Sequence, residues 1–237
     1  MKIDDPKIVS LREKVNAAHQ EFDMAVTFHE GWKPAAFDDD LHKRMGASYA
    51  TNAFFVVRAA LRREMVLALI RLWDKDARAV GMDSIAATLR DESVIDALAA
   101  DRAARVGLPE AEGQMRRELG QCADAAITLV DKYSELGSHG AVRRKLKKLR
   151  NERLAHRQTN ATAVAEADPT AGEIESFYQD MSELIRLLLS LVMAVGYNPE
   201  DTGHVYRHHA KFFWDGVRGE RTEGHPSYRA PSMAHKS

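Results

Sequence analysis

Between Glu173 and Gly196 the chain reads EIESFYQDMSELIRLLLSLVMAVG. Ile174, Phe177, Met181, Leu184, Leu188, Leu191 and Val195 recur there at alternating steps of three and four. That step keeps side chains on one face of a helix, whereas a half-buried strand alternates every second residue. The stretch predicts a helix starting near Glu173 with a heptad-like seam, stopped by Gly196 and Pro199. Its most apolar part, from Leu184 to Val195, still holds Arg186 and Ser190. It is well short of the roughly 20 apolar residues that a membrane-spanning helix needs.

Three more long segments repeat the pattern. Ile8, Leu11, Val15, Ala18, Phe22 and Ala25 form the first stripe, which Trp32-Lys33-Pro34 is expected to close. Phe54, Val57, Leu61, Met65, Ala68 and Leu72 form the second, within a helix expected from about Ser48 to Ala77. Val66, Ile70 and Trp73 widen it, so this helix should meet neighbours on more than one side. The third carries Met115, Leu119, Cys122, Ala126, Leu129, Tyr133 and Leu136, with Pro109 suited to its opening turn. Shorter pieces lie between Asp83 and Val106, with Asp83 or Ser84 and Asp91 or Ser93 as caps. A last short helix is expected from Asp201 to about Val217. No segment alternates with period two. The fold class is therefore all-α: an antiparallel bundle of four to five long helices with short accessory helices.

Composition narrows the function. The 237 residues are 45% hydrophobic and 29% charged, the balance of a folded chain. Lys+Arg 34 against Asp+Glu 35 excludes an overall basic nucleic-acid binder, so any such surface is local. One cysteine, Cys122, excludes an internal disulfide and a cysteine-rich zinc site, and its place on an apolar stripe marks it as core rather than nucleophile. The N-terminal MKIDDPKIV has no apolar signal core, so a cytoplasmic protein without membrane association is expected.

The local surface is AVRRKLKKLRNERLAHRQ, residues 141–158. Arg143, Arg144, Lys145, Lys147, Lys148, Arg150, Arg153 and Arg157 face a single acid, Glu152, for a net +7. Such a concentration of charge attracts phosphate whatever the total. Val142, Leu146 and Leu149 make its apolar stripe, and continuing the stripe leads to Arg153 and His156. The inward face thus turns from aliphatic to cationic, which is costly without a cleft, an interface or an anionic ligand.

The string LRNERLAHR, residues 149–157, resembles the Arg-x(4–6)-His motif of HEPN (higher eukaryotes and prokaryotes nucleotide-binding) domains. Arg150 and His156 are the motif pair, and Asn151 holds the polar position after the arginine. VLALIRLWDKDA, residues 66–77, followed by Ser84-Ile85, resembles the second-helix signature of the abortive-infection U-type branch. The resemblance covers approximately residues 5–200. It implies a single HEPN-like helical domain over residues 1–217; residues 218–237 lack periodicity and are expected to form a flexible tail. It also implies a homodimer whose motif residues meet in a cleft. Many members are metal-independent endoribonucleases, others bind nucleotides or have lost activity, and some act as toxins or anti-phage effectors. No cofactor or metal is implied, while RNA, an antitoxin or a phage trigger are implied partners. Relatives paired with nucleotidyltransferase antitoxins carry a tyrosine two positions after the histidine as an AMPylation target. This chain has Gln158 there, a departure from that mode of control.

The roles follow from chemistry. His156 is the candidate general acid or base, because imidazole titrates near neutrality. Arg150 offers a planar fork to the scissile phosphate, and Asn151 a donor to phosphate or a support for His156. Arg153, Arg157, Lys147 and Arg143 are candidate RNA-phosphate contacts, and Arg71, Asp74 and Glu64 candidate supporting groups, with Arg71 and Asp74 spaced to pair. On an ideal helix Arg150 and His156 lie about 9 Å apart in rise and about 120° apart in angle, so convergence needs a distorted helix end or a second protomer. A metal pair at His204 and His208 lacks a third ligand nearby. Tyr206, Arg207, Phe212, Phe213 and Trp214 mix aromatics with cations, although packing of their helix is the simpler expectation. Asp38-Asp39-Asp40 reads as a helix cap.

Overall fold

The protein is described from a computed structural model over residues 4–74, 80–151, 169–220 and 222–229. These residues form an all-α fold without strands: α1 (Pro6–Phe37), α2 (Asp39–Met45), α3 (Tyr49–Arg71), α4 (Met82–Leu89), α5 (Glu92–Val106), α6 (Glu112–Lys132), α7 (Gly140–Leu149), α8 (Ala171–Leu188) and α9 (Pro199–Gly216). A 3-10 turn at Pro109–Ala111 precedes α6, and a π-helical segment at Leu189–Met193 prolongs α8. No described helix is long and apolar enough to cross a membrane.

Side-chain caps open three of the described helices. Asp38 accepts from the amides of Asp40 and Leu41 and opens α2, as its sequence predicts. Asp91 accepts from Ser93 N and opens α5. At α8, Thr170 and Glu173 satisfy each other's backbone amides in a complete capping box. The start of α4 differs from expectation. Gly81 precedes it at φ 60°, and neither Asp83 nor Ser84 caps it.

Proline does not close the first helix. Pro34 lies inside α1, which continues to Phe37. The lost donor is outweighed by what the extra turn packs. Ala35 is fully buried with Leu41, Met45, Phe54 and Trp214, and the Trp32 and Phe37 rings meet edge to face at 5.2 Å.

The chain forms two compact units. One comprises Met1–Met24 and Val66–Pro199, the other Ala25–Met65 and Glu200–Ser237. In the first, α6 packs on α4, α5 and α8. Its buried line is Leu119, Ala123, Ala126, Val130 and Tyr133, which shares Leu119, Ala126 and Tyr133 with the expected stripe. Leu136 departs from it altogether. The helix stops at Lys132, and Leu136 is fully exposed in the turn that follows. Trp73, Tyr133 and Phe177 make an aromatic cluster, with Tyr133 and Phe177 centroids 4.8 Å apart. At the end of α8, Arg102 from α5 donates to the carbonyls of Ser190 and Leu191, which the π segment leaves available. Ala194, in the left-handed region at φ 56°, then ends the helix ahead of the expected stop at Gly196.

In the second unit Trp214 is buried and donates Nε1–H to Gly31 O at 2.8 Å. Glu30, almost wholly buried, accepts from Arg207 at 2.8 Å. Burial pushes its carboxyl up, but hydrogen bonds from His29 and Arg207 and the Lys33 charge outweigh this and bring it to about 2. Along α3 the expected stripe is buried at Phe54 and from Met65 onward, whereas Val57 is exposed. Gly219 N donates to Arg44 O, and Tyr49 N to Glu223 O, so residues after α9 contact α2 and the start of α3.

Candidate functional site

The candidate site grows from α7. Gly137 and Gly140 shape the turn before it: a Cβ on Gly137 would collide with the Asp131 carbonyl, and one on Gly140 with that of Ser134. His139 N donates to Lys132 O at 2.8 Å and closes the turn. Val142 and Leu146 face the core, as the apolar stripe predicts. Lys145 bridges to Glu173 at 2.7 Å and anchors α7 to the cap of α8. That ammonium holds the Glu173 carboxyl below its usual range.

Beside α7 runs a groove of about 490 Å³. Arg143, Arg144, Lys147 and Arg150 line it from α7 and its C-cap, and Trp73 and Asp74 from the end of α3. The four cations are not equivalent. Arg143 is only 9% exposed, with its guanidinium 4.8 Å from the Trp73 ring centroid and 3.2 Å from Asp83. It acts as the cationic lid of the aromatic cluster below. Arg144 donates to the Glu135 carbonyl at 3.3 Å. Lys147 is exposed and makes no ion pair among the described residues.

Arg150 is fixed from two sides. Its Nη1 pairs with Asp74, and its Nε donates to Asn151 Oδ1 at 3.0 Å. Among the described residues Nη2 makes no hydrogen bond, so one edge of the guanidinium remains for an anion. The winding at Arg150 and Asn151 is of π type and departs from the regular helix. His156, Arg153 and Arg157 lie outside the described residues.

The supporting residues divide. Asp74 reaches the motif arginine, and Arg71 instead engages Glu21 at 2.7 Å, so Arg71 and Asp74 do not pair with each other. Arg71 and Asp74 line a neighbouring hollow of about 640 Å³ with Lys14, Glu13 and Glu21. That hollow is larger, and among the described residues that line it acids and cations are mixed and the one arginine is paired. Glu64 lies 3.5 Å from Arg63 and lines neither space.

Three features escaped the sequence. Asp83 meets Arg143 across 60 positions, and no local spacing announces that pairing. The stacking of Arg143 on Trp73 is equally non-local. Tyr133 was visible as an apolar position, yet its hydroxyl donates to Asp180 at 2.5 Å, and burial together with that bond raises its pKa.

The remaining candidates separate cleanly. Cys122 is half-buried, and burial pushes its thiol up, which suits a core residue. Among the described residues no three His, Cys, Asp or Glu side chains gather as a metal site. On α9 Trp214 packs inward, while Phe212 and Phe213 are exposed.

Comparison with known proteins adds one finding. A family model described as AbiU2, of the HEPN class, matches residues 8–213, from α1 into α9. No curated protein and no solved structure matches the chain. The matched span covers most of the sequence and includes the residues of both quoted strings, 66–77 and 149–157. The chain belongs to the AbiU2 family of HEPN-type abortive-infection proteins.

Proposed function

We propose that the protein is a metal-independent endoribonuclease that acts as a toxin or anti-phage effector, with Arg150, Asn151 and His156 of two protomers sharing one cleft. The observation that carries this is the posture of Arg150: its guanidinium is fixed by Asp74 and Asn151 at a basic groove, and among the described residues its Nη2 makes no hydrogen bond. RNA carries its own nucleophile. The 2′-hydroxyl loses a proton to a base and attacks the adjacent phosphorus, and the P–O5′ bond breaks as that oxygen takes a proton from an acid. The products are a 2′,3′-cyclic phosphate and a 5′-hydroxyl. His156 supplies the proton transfer, its mate in the second protomer the complementary one, and Arg150 neutralises the phosphorane.

The test is cleavage of a defined RNA in EDTA. His156→Ala and Arg150→Ala should each lose at least about 100-fold in rate while keeping wild-type far-UV circular dichroism. Cleavage that persists in both variants disproves the assignment. Light scattering at micromolar concentration checks the dimer, and a monomer mass counts against the shared cleft.

A second reading is a non-catalytic module that binds nucleotide, RNA or a partner protein through the same groove. The four cations that line the groove favour it, because they attract phosphate whether or not a bond is broken. Salt-sensitive RNA binding without cleavage would select this reading.

A further inference from the structure

Two features of the α7 groove have no role in the proposed chemistry. The first is a cationic ladder. Arg144, Lys147 and Arg150 follow at steps of three along one ridge, about 4.5 Å of rise per step. The long arginine and lysine side chains bridge the difference between that rise and the wider phosphate spacing of an extended strand. Arg144 and Lys147 are exposed, and the bond from Arg144 to the Glu135 carbonyl holds its guanidinium at the groove.

The second is Leu136. It lines the same groove and is 100% exposed. It stands on a turn whose glycines permit close backbone approach, so the side chain is presented outward by a well-defined scaffold. A fully exposed leucine gains by covering an apolar surface. On nucleic acid that surface is the face of an unpaired base, which a duplex hides by stacking. Among the described residues that line the groove four are cations and two, Asp74 and Glu135, are acids, and Asp74 is committed to Arg150. The balance therefore favours a polyanion.

We propose that this groove binds single-stranded RNA as an extended strand, with Arg150, Lys147 and Arg144 on consecutive phosphates and Leu136 against a flanking base. The proposal rests on the nuclease reading only in placing the scissile phosphate at Arg150. Lys147 and Arg144 then hold phosphates on one side of the cut, so substrates truncated on that side should bind poorly.

The experiment uses the full chain and a 12-nucleotide 2′-O-methyl single strand, which resists transesterification and so reads binding apart from cleavage. Fluorescence anisotropy is recorded across a salt series. Arg144→Ala combined with Lys147→Ala should weaken binding about 25-fold at 0.1 M salt and lower the log–log salt slope by about 1.4, because two phosphates lose their cations. Leu136→Ser should weaken it about threefold with the slope unchanged, less than an aromatic platform would give. A duplex of the same sequence should bind more weakly and ignore Leu136→Ser. On cleavable RNA the double variant should raise KM and leave kcat unchanged. Losses under twofold in both variants overturn the proposal. So does a duplex that binds as tightly as the single strand, or a poly-glutamate of equal charge that competes as well as RNA. A wild-type protein that shows this binding pattern but cleaves nothing refutes the nuclease reading alone. Normal cleavage with an unaffected KM in the double variant refutes the ladder alone.

Discussion

Arg150 and Asp74 meet from the ends of two helices, α7 and α3, across 76 positions of sequence. The pair gives the motif arginine a defined orientation and places a negative charge beside the basic groove, where the proposed function puts phosphate. These two effects oppose each other. Asp74→Asn should therefore separate them: RNA binding tightens, because a competing anion is gone, while the cleavage rate falls about tenfold as Arg150 loses its anchor. Steady-state kinetics read the split as a lower KM with a lower kcat. A variant with both constants unchanged would show that Asp74 does not position Arg150.

Arg143 is expected to act on stability more than on RNA. It is nearly buried between Trp73 and Asp83, unlike the exposed Lys147. Arg143→Ala should cost about 1–2 kcal/mol, from the missing cation–π interaction and the uncovered ring. Trp73→Ala should cost about 3–5 kcal/mol by opening a cavity. Urea titration checks both, and Lys147→Ala serves as the control with little change in midpoint.

The buried Glu30 makes stability depend on pH. Its carboxyl ionises near pH 2 in the folded chain, against an ordinary value of 4.5. A depressed acid contributes its stability in full above pH 4.5 and loses it as pH falls from 4.5 toward 2. The contribution is on the order of 3 kcal/mol. Glu30→Gln should lower stability at pH 7 and flatten this acid limb, as thermal melts between pH 2.5 and 7 would reveal.

The capping box at α8 is worth a separate measurement. Thr170→Ala removes the side-chain acceptor for Glu173 N, which lies 3.1 Å away. The expected cost is about 1 kcal/mol, or a Tm lower by roughly 2–4 °C. An unchanged Tm would mean that this helix start frays in the wild-type chain.

Much of the fold was legible from apolar spacing, because a helix that buries one face must repeat every three or four residues. Ile8 to Phe22 and Ile174 to Leu188 obey that rule and are buried as expected. Legibility failed where tertiary packing overruled local preference. Pro34 signals a helix end, yet burial of Ala35 carries the helix past it. Leu136 continues a numerical stripe, but the helix supporting the stripe ends at Lys132. Val57 also fits its stripe and is exposed.

The basic groove was legible in part, through a string whose charge contrasts with the neutral whole and whose Arg150 lines it. Asp74 could be suspected from its helix, though its partner could not. Arg143 looked interchangeable with its neighbours in sequence, and only the three-dimensional placement of Trp73 and Asp83 separates it from them.

One side chain has consequences beyond its neighbourhood. The guanidinium of Arg102 holds the two carbonyls that the widened turn after α8 presents, and burial lowers the pKa of that guanidinium. The final turn of one helix thus depends on a residue of another, far from it in sequence. Loosening α5 would release the end of α8 at the same moment. In hydrogen exchange the two should open with a common free energy, and Arg102→Ala should uncouple them, letting the amides after Leu189 exchange while α5 stays protected.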